Sequence, residues 1–474
     1  MSKLNRDIIY LILQELQEDK KSLYSCISVD KTWCEIIIPI LWSNPWKYLK
    51  IENYKLLFNV IISHSSNNFK NNFSNQKFNF LKDSYQKPLF NYLNFCKHLN
   101  LSEINRLINS LFEGYEISTI RNEILNLFVN ENTKFTHLYL PYRFDYQIHL
   151  IPGAEKCFSD LKFLSCSVNI NDNALTGLVE ICKSIKELEL FIEVQNNNYG
   201  IVQLIETPKK LSNVRFLIET YSERNEPFYE ILEKSLIKHA NHIQYFKITK
   251  QPSTKILSSF VNLKSLELFD KYRPLSWDCL DNLSFPSLQS LKARSVPIKV
   301  LTNIIANTVG YLDEIKIDHT SHNEIGNKLI IQAIYKNCPN LKFLKLLFKN
   351  SNILELEKLL ISCQHLNGLF IIFEDVWDVS VTIDYNHVFE ILTKSSPISL
   401  FKFKFHYNRE PKLKSFRLFF DNWEGRHPML LQTVQYRRYG NEHFNLIESY
   451  KTKGIVEKYD NFLSEDICEV FKWV

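Results

Sequence analysis

The sequence predicts an α/β solenoid, a curved parallel sheet with helices along its outer side, preceded by a small all-α module. Two observations predict it. The spacing Φ-x-x-Φ-x-Φ, with Φ apolar, recurs twelve times along most of the chain. The stretches between carry apolar residues three and four apart, as on amphipathic helices. Composition agrees: the 474 residues are 45% hydrophobic and 23% charged, an ordinary core-forming balance. At roughly 150 residues per domain, this length gives about three domains or one long repeat array.

The repeat units start at Phe135, Leu161, Ile185, Leu211, Ile243, Leu263, Leu288, Leu312, Leu341, Leu366, Ile398 and Leu431. Their intervals run from 20 to 33 residues, with a mean of about 27. Within each unit the second and third apolar positions alternate with polar ones, as on a strand with one buried face. Between units, 323–337 and 352–363 read as helices; in the second, Leu354, Leu356, Leu359 and Leu360 recur at helical spacing. A strand–turn–helix unit cannot bury both faces alone, so neighbours must stack. Pro286 and Pro339 stand two residues before a strand anchor, where a helix must already have ended. The length and pattern of the unit resemble leucine-rich repeats, whose period is roughly 20–29 residues. Cys182, Cys338 and Cys363 each stand three residues before an anchor, which resembles the cysteine-containing class of that repeat.

Residues 1–48 read as the all-α module. Ile8, Leu11, Ile12 and Leu16 sit at helical spacing over Asp7–Leu16. Asp19 or Ser22 can cap a second helix reaching about Val29. A third runs from about Lys31 to Trp42, and Pro39 is expected to kink or break it. So short a segment buries little core by itself, so a partner helix bundle is expected.

In this module Leu4, Ile8, Ile12 and Leu16 hold one apolar frame; Leu23, Val29 and Trp33 hold a second, closed by Leu41-Trp42. Those residues resemble an F-box. Asn5 departs from it, standing where the family carries Pro, and the Leu16–Leu23 connection is about two residues longer than in the family. An F-box followed by leucine-rich repeats is similar to the substrate-receptor subunits of SCF-type ubiquitin ligases. The resemblance implies that Leu4, Asn5, Ile8, Ile12, Leu16, Leu23, Val29, Trp33, Leu41 and Trp42 dock a Skp-type adaptor. That adaptor would link to a cullin–RING scaffold, with the repeats holding a protein substrate. Catalysis would reside in a ubiquitin-conjugating enzyme, the receptor raising the effective concentration of substrate lysines near the thioester.

The remaining organisation follows. Residues 49–134 are expected to be a helical linker and N-terminal cap, with a Ser/Asn-rich loop at Ser63–Gln76 and helices over Ser102–Leu111 and Ile117–Val129. The repeats occupy 135–440, and 441–474 form a C-terminal helical cap ending in Asp460–Val474. No apolar run approaches the ~18 residues of a membrane span. The N-terminus has no signal-peptide apolar region, so the expected setting is intracellular, in cytoplasm and/or nucleus. The 10 cysteines are scattered without a C-x-x-C pair, so reduced buried thiols are expected, and the three sequons carry no weight.

Alternation points one residue per strand away from the core, at the fifth position of each unit. Six of the twelve are basic: Arg215, Lys247, Lys292, Lys316, Lys345 and Lys402. Phe163, Tyr245 and Phe343 are aromatic neighbours two positions earlier, and Arg294, Lys404 and Arg437 extend the stripe. These are candidate substrate-binding residues for an acidic or phosphorylated peptide. A plain alternative is lysine placed for solubility and against edge pairing.

Enzyme classes find little footing. Neither G-x-G-x-x-G nor G-x-x-x-x-G-K-[ST] nor H-E-x-x-H occurs. His239/His242 and His319/His322 lack a third ligand at characteristic spacing, so no metal is expected, nor any cofactor. Cys34 beside Trp33 reads as a packed thiol. Besides the ligase receptor, a repeat scaffold outside any SCF complex is kept, favoured by Asn5. A nucleic-acid binder is disfavoured by the net charge of only +5.

Overall fold

The structure is a computed structural model that describes residues 5–16, 19–66, 69, 88–114, 116–193, 198–218, 225–270, 277–318, 323–376, 381–435 and 441–463. It is α/β, with fourteen parallel strands in chain order and helices on the outer side. The chain divides into two compact units, Met1–Ser235 and Leu236–Val474.

The first unit opens with three helices, α1 (Arg6–Glu15), α2 (Lys20–Ile27) and α3 (Lys31–Trp42). Each begins at a side chain that accepts a hydrogen bond from a backbone N–H of the first turn: Asn5 from Asp7, Asp19 from Ser22, and Asp30 from Thr32 and Trp33. Asn5 thus supplies a cap where the F-box pattern carries Pro. Pro39 does not break α3. It removes one N–H, but Ile36 and Ile37 hold the helix in a core with Ile9, Leu13 and Leu23. Helices Tyr54–Ser63, Leu101–Leu111 and Glu116–Phe128 follow. Ser63 ends the first of these; most of the loop expected through Gln76 lies outside the described residues.

Five strands complete this unit: β1 (His98–Asn100), β2 (His137–Tyr139), β3 (Phe163–Ser167), β4 (Glu187–Ile192) and β5 (Asn213–Ile218). β1 lies inside the segment expected to be only a helical cap. Cys96, Leu99 and Leu101 fit the repeat spacing, and all three are buried. One hydrogen-bond device recurs at each step. The carbonyl just after the anchor accepts two successive N–H groups from the next unit. Lys97 accepts from Thr136 and His137, Thr136 from Lys162 and Phe163, and Lys162 from Lys186 and Glu187. The Ser43 carbonyl takes this role ahead of β1, accepting from Lys97 at 2.8 Å and His98 at 3.2 Å. The end of α3 therefore covers part of an edge whose open N–H groups could otherwise pair with another chain.

The second unit carries β6 (Tyr245–Ile248), β7 (Ser265–Phe269), β8 (Ser290–Arg294), β9 (Glu314–Asp318), β10 (Phe343–Phe348), β11 (Gly368–Phe373), β12 (Lys402–His406), β13 (Met429–Gln435) and β14 (Val456–Leu463). Leu266, Leu291, Ile315, Leu344, Leu369 and Phe403 share one register position, and all are buried. Burying such a side chain contributes about 1.5–3 kcal/mol. Cys338 and Cys363 close the helices Glu324–Asn337 and Ile353–Ser362. Burial pushes both thiols up to about 12.

Three expectations are corrected in this unit. The eleventh repeat starts at Leu400, not Ile398, which is 90% exposed. Phe403 pairs with Leu369, and Phe401 and Lys402 donate to the Asn367 carbonyl, as the recurring device requires. The twelfth is displaced by three, since Leu431 occupies the Phe403 register position. The C-terminal segment is not purely helical: after the helix Asn441–Thr452, Val456–Leu463 adds β14. Asp460–Leu463 are therefore strand, and 464–474 lie outside the described residues.

Candidate functional site

The first candidate face is the outer surface of α1 and α2. Ile9 and Leu13 point into the module core, where Leu16, Trp33 and Leu41 pack against them and Leu23 is buried. One residue earlier on each turn, Ile8 and Ile12 are exposed, together with Leu11 at 61%. Tyr24 and Val29 are exposed too. α1 is thus apolar on two sides, one spent on its own core and one facing water. Exposed apolar groups of this density mark an interaction surface more often than chance.

The candidate adaptor residues divide on this basis. Ile8, Ile12 and Val29 face outward. Leu16, Leu23, Trp33 and Leu41 are core or core-facing, because a three-helix module must first close on itself. Trp42 packs against Tyr92 in a tilted pair, with ring centroids 4.8 Å apart. Asn5 is a helix cap, and Leu4 lies outside the described residues. Leu11 and Tyr24 were not singled out from sequence for this role; their signal was apolar character beyond the i, i+4 frame.

The second candidate face is the inner side of the strands. In the first unit it is aromatic. His98 and His137 stack with centroids 3.9 Å apart, and His137 and Tyr139 pack on Phe163 at 5.3 and 5.0 Å. Burial, then the neighbouring His137 and Lys47, pull His98 down to about 4. Burial lowers His137 as well. Both rings are therefore neutral near pH 7, which permits the stack. Arg215 lies 5.9 Å from the Phe163 ring and 3.6 Å from Glu187. Phe163 itself is buried, not an exposed contact as expected.

In the second unit the inner column reads Lys247, Glu267, Lys292, Lys316, Lys345, Phe370, Lys404, Gln432 and Asp460. Lys404, not Lys402, belongs to the column, a consequence of the Leu400 frame. The expected open basic stripe is largely neutralised within the sheet. Glu267 bridges Lys292 at 2.9 Å and Lys247 at 3.6 Å. Lys316 pairs with Glu314, which also accepts from Ser290. Lys345 is buried and paired with Asp318 at 2.6 Å. Glu267 stands in the expected column itself, whereas Glu314 and Asp318 sit two residues before and after it on the same face, so a count of one column missed those two.

Farther along, this face closes into an apolar cluster of Leu347, Phe370, Ile372 and Val376. Lys345 and Lys404 lie 4.6 and 5.1 Å from the Phe370 ring, and Lys404 is 5.0 Å from Phe462. Burial, and then the charge of Lys345, pull Lys404 down to about 8. Lys402 lies over Phe343 at 5.9 Å, and both are half-buried, as is Tyr245. Arg294 is half-buried at the end of β8, while Arg437 lies outside the described residues.

No three-residue His, Cys, Asp or Glu group able to hold a metal occurs among the described residues. His239 is buried, and His319/His322 lie outside the described residues. No helix among the described residues is long and apolar enough to cross a membrane. No protein-family model and no curated protein matches this chain.

Proposed function

We propose that this chain is the substrate-receptor subunit of an SCF-type ubiquitin ligase. Its N-terminal three-helix module acts as an F-box that docks a Skp-type adaptor and, through it, a cullin–RING scaffold. The parallel-strand units form a curved leucine-rich-repeat solenoid that holds a protein substrate. The chain itself performs no catalysis; it positions the substrate for a ubiquitin-conjugating enzyme. The observation that carries this reading is the second apolar side of α1. Ile8, Leu11 and Ile12, with Tyr24 and Val29, stay exposed on a module that already has its own core. A helix-groove partner that buried them would gain roughly 25 cal/mol per Å² of apolar area.

The self-neutralised inner face narrows the substrate reading. An acidic or phosphorylated peptide would have to displace Glu267, Glu314 and Asp318 from their lysines, so that class loses its main support. The aromatic inner face of the first unit fits a partner with flat or apolar side chains. Size-exclusion chromatography of the full chain with adaptor and cullin–RING scaffold tests the proposal. One co-eluting assembly is expected. Separate elution of the chain at micromolar concentration would refute it.

A second reading keeps the repeats as a scaffold outside any SCF complex. It is favoured by Asn5, which caps α1 where the F-box pattern carries Pro.

A further inference from the structure

Parallel register sets the inner side of β1–β5 in rows. One row carries His137, Phe163 and Glu187, and the next carries Tyr139, Ser165, Glu189 and Arg215. His137, Tyr139, Glu187 and Glu189 are half-buried and reach the surface, while Phe163 and Ser165 between them are buried. Ser165 is the shortest side chain of its row, so the face dips between the Tyr139 ring and Glu189. Ser165 Oγ donates to the Glu189 carboxylate at 2.8 Å and holds it beside that dip. Burial, and then the charge of Glu189, push the Tyr139 hydroxyl up to about 12, so ring and carboxylate are neighbours across Ser165.

The charges of this face do not balance. β4 brings three carboxylates to it, Glu187, Glu189 and, just past the strand, Glu193. Arg215 stands level with Glu189 but turns to Glu187, 3.6 Å away, with its guanidinium 5.9 Å from the Phe163 ring. Among the described residues, Glu189 and Glu193 meet no cation. Glu193 is buried and accepts from Ser167 Oγ at 3.0 Å. A buried carboxylate without a counter-charge is costly, so Glu193 points to a cation supplied from outside. Lys47 and Lys162 lie near His98 and His137, at the other end of the face.

We propose that this face binds an arginine-bearing segment of a protein partner, one guanidinium lying against Tyr139 and Glu189 and a second cation reaching Glu193. The chain's own Arg215 already shows the arrangement, a guanidinium beside one ring and one carboxylate. A planar guanidinium stacks on an aromatic ring while its N–H fork donates to a carboxylate; an ammonium offers only a point charge. An apolar segment would leave Glu189 and Glu193 without a counter-charge, and an acidic one would be repelled. Glu189 and Glu193 are four residues apart, roughly 13 Å along a strand, so an extended partner presents its two cations four residues apart. The proposal rests on the reading of the inner side as the side that holds a protein substrate, and not on α1 and α2.

The test is fluorescence anisotropy of the full chain with ten-residue Gly/Ser peptides carrying two arginines four apart, and with their lysine and citrulline counterparts. The arginine peptide is expected to bind saturably, at least about tenfold more tightly than either counterpart. Glu189→Gln and Glu193→Gln keep the side-chain shape and an acceptor for the serine, and each should weaken binding about tenfold, the scale of a lost charge-assisted pair. Glu155→Gln, exposed on the helix Ala154–Phe158, removes the same charge elsewhere and should leave binding unchanged. No saturable binding, equal binding of arginine and lysine peptides, or equal weakening by Glu155→Gln would overturn the proposal. N-acetyl-arginine amide binding as tightly as the peptide would overturn the protein partner in favour of a small guanidinium compound. Co-elution with adaptor and scaffold beside failed arginine binding overturns this proposal alone; arginine binding beside failed co-elution overturns the ligase reading alone.

Discussion

His98 and His137 can stack at 3.9 Å only while at least one ring is neutral. The unfolded chain takes up a proton at His98 near the ordinary value of 6.5, the folded chain only near 4. Between these values the unfolded state binds more protons, so stability rises with pH and is lost as pH falls from 6.5 toward 4. Discounted for the partial exposure of His98, the loss is about 1–2 kcal/mol. Urea melts of wild type and His98→Phe from pH 4 to 7 should converge or cross on acidification. A constant difference would contradict it. Lys404 behaves oppositely to an ion-paired lysine. Its folded value of about 8 lies below the ordinary 10.5, so holding it charged destabilises the fold below pH 8. Relative to Lys404→Met, wild type should gain about 1–3 kcal/mol between pH 8 and 10.5. Taking the difference between the two proteins cancels the thiols and tyrosines that titrate in the same range. Neither effect was legible in sequence. The basic count along the column was visible, but Glu314 and Asp318 pair with it from positions two residues away on the same face.

The elements were legible wherever one apolar period dominated. α3 and the helix Leu101–Leu111 fall where apolar spacing puts them, as do strands β2–β11. β12 failed because Ile398 and Leu400 both fit the anchor, and only three-dimensional register decides between them. β13 and β14 failed for another reason. At the third apolar position they carry Thr433 and Asn461, which hydrogen-bond each other at 3.1 Å, with the Tyr459 hydroxyl 2.9 Å from Thr433. A polar ladder there removes the apolar signal without removing the strand. A buried polar link also ties helix to strand at Asn327. Its amide donates to the Leu347 carbonyl at 2.7 Å, and its oxygen accepts from the Lys349 N–H at 3.1 Å. Asn327→Ala strands both backbone groups and should cost about 2–4 kcal/mol by urea melt. A loss under 1 kcal/mol would contradict that role. Gly177 makes a similar case for sterics. A Cβ there would lie 1.8 Å from His149 Nδ1, so the helix Asp172–Ile181 packs flush on that ring. Gly177→Ala should destabilise despite a helix-propensity gain of about 1 kcal/mol, and His149→Ala should relieve it.

At the scale of the whole molecule, the repeat period identified the architecture because stacking units demand the same spacing many times over. The strand count was short by two, since β1 was read as cap and β14 as helix. The covered side of β1, where Ser43 accepts from Lys97 and His98, shows how the three-helix module joins the sheet within its unit. Trp46 reinforces the join, donating from Nε1 to the His98 carbonyl at 2.7 Å. The site was less legible than the fold. A core-facing residue and an outward-facing one are one position apart on α1, and apolar spacing selects both. Ile8 and Ile12 are the outward pair, so changing them leaves the module core of Ile9, Leu13, Leu23, Ile36 and Ile37 untouched.

Isothermal calorimetry of a Skp-type adaptor against the full chain, wild type and Ile8→Asp/Ile12→Asp, tests the proposed function most directly. Wild type is expected to bind at micromolar Kd or tighter. The variant should melt like wild type yet lose at least about 100-fold in affinity, the scale of burying two charges against apolar groups. Wild type without measurable binding, or a variant that binds as well, would contradict the assignment of α1 and α2 as an adaptor-docking face.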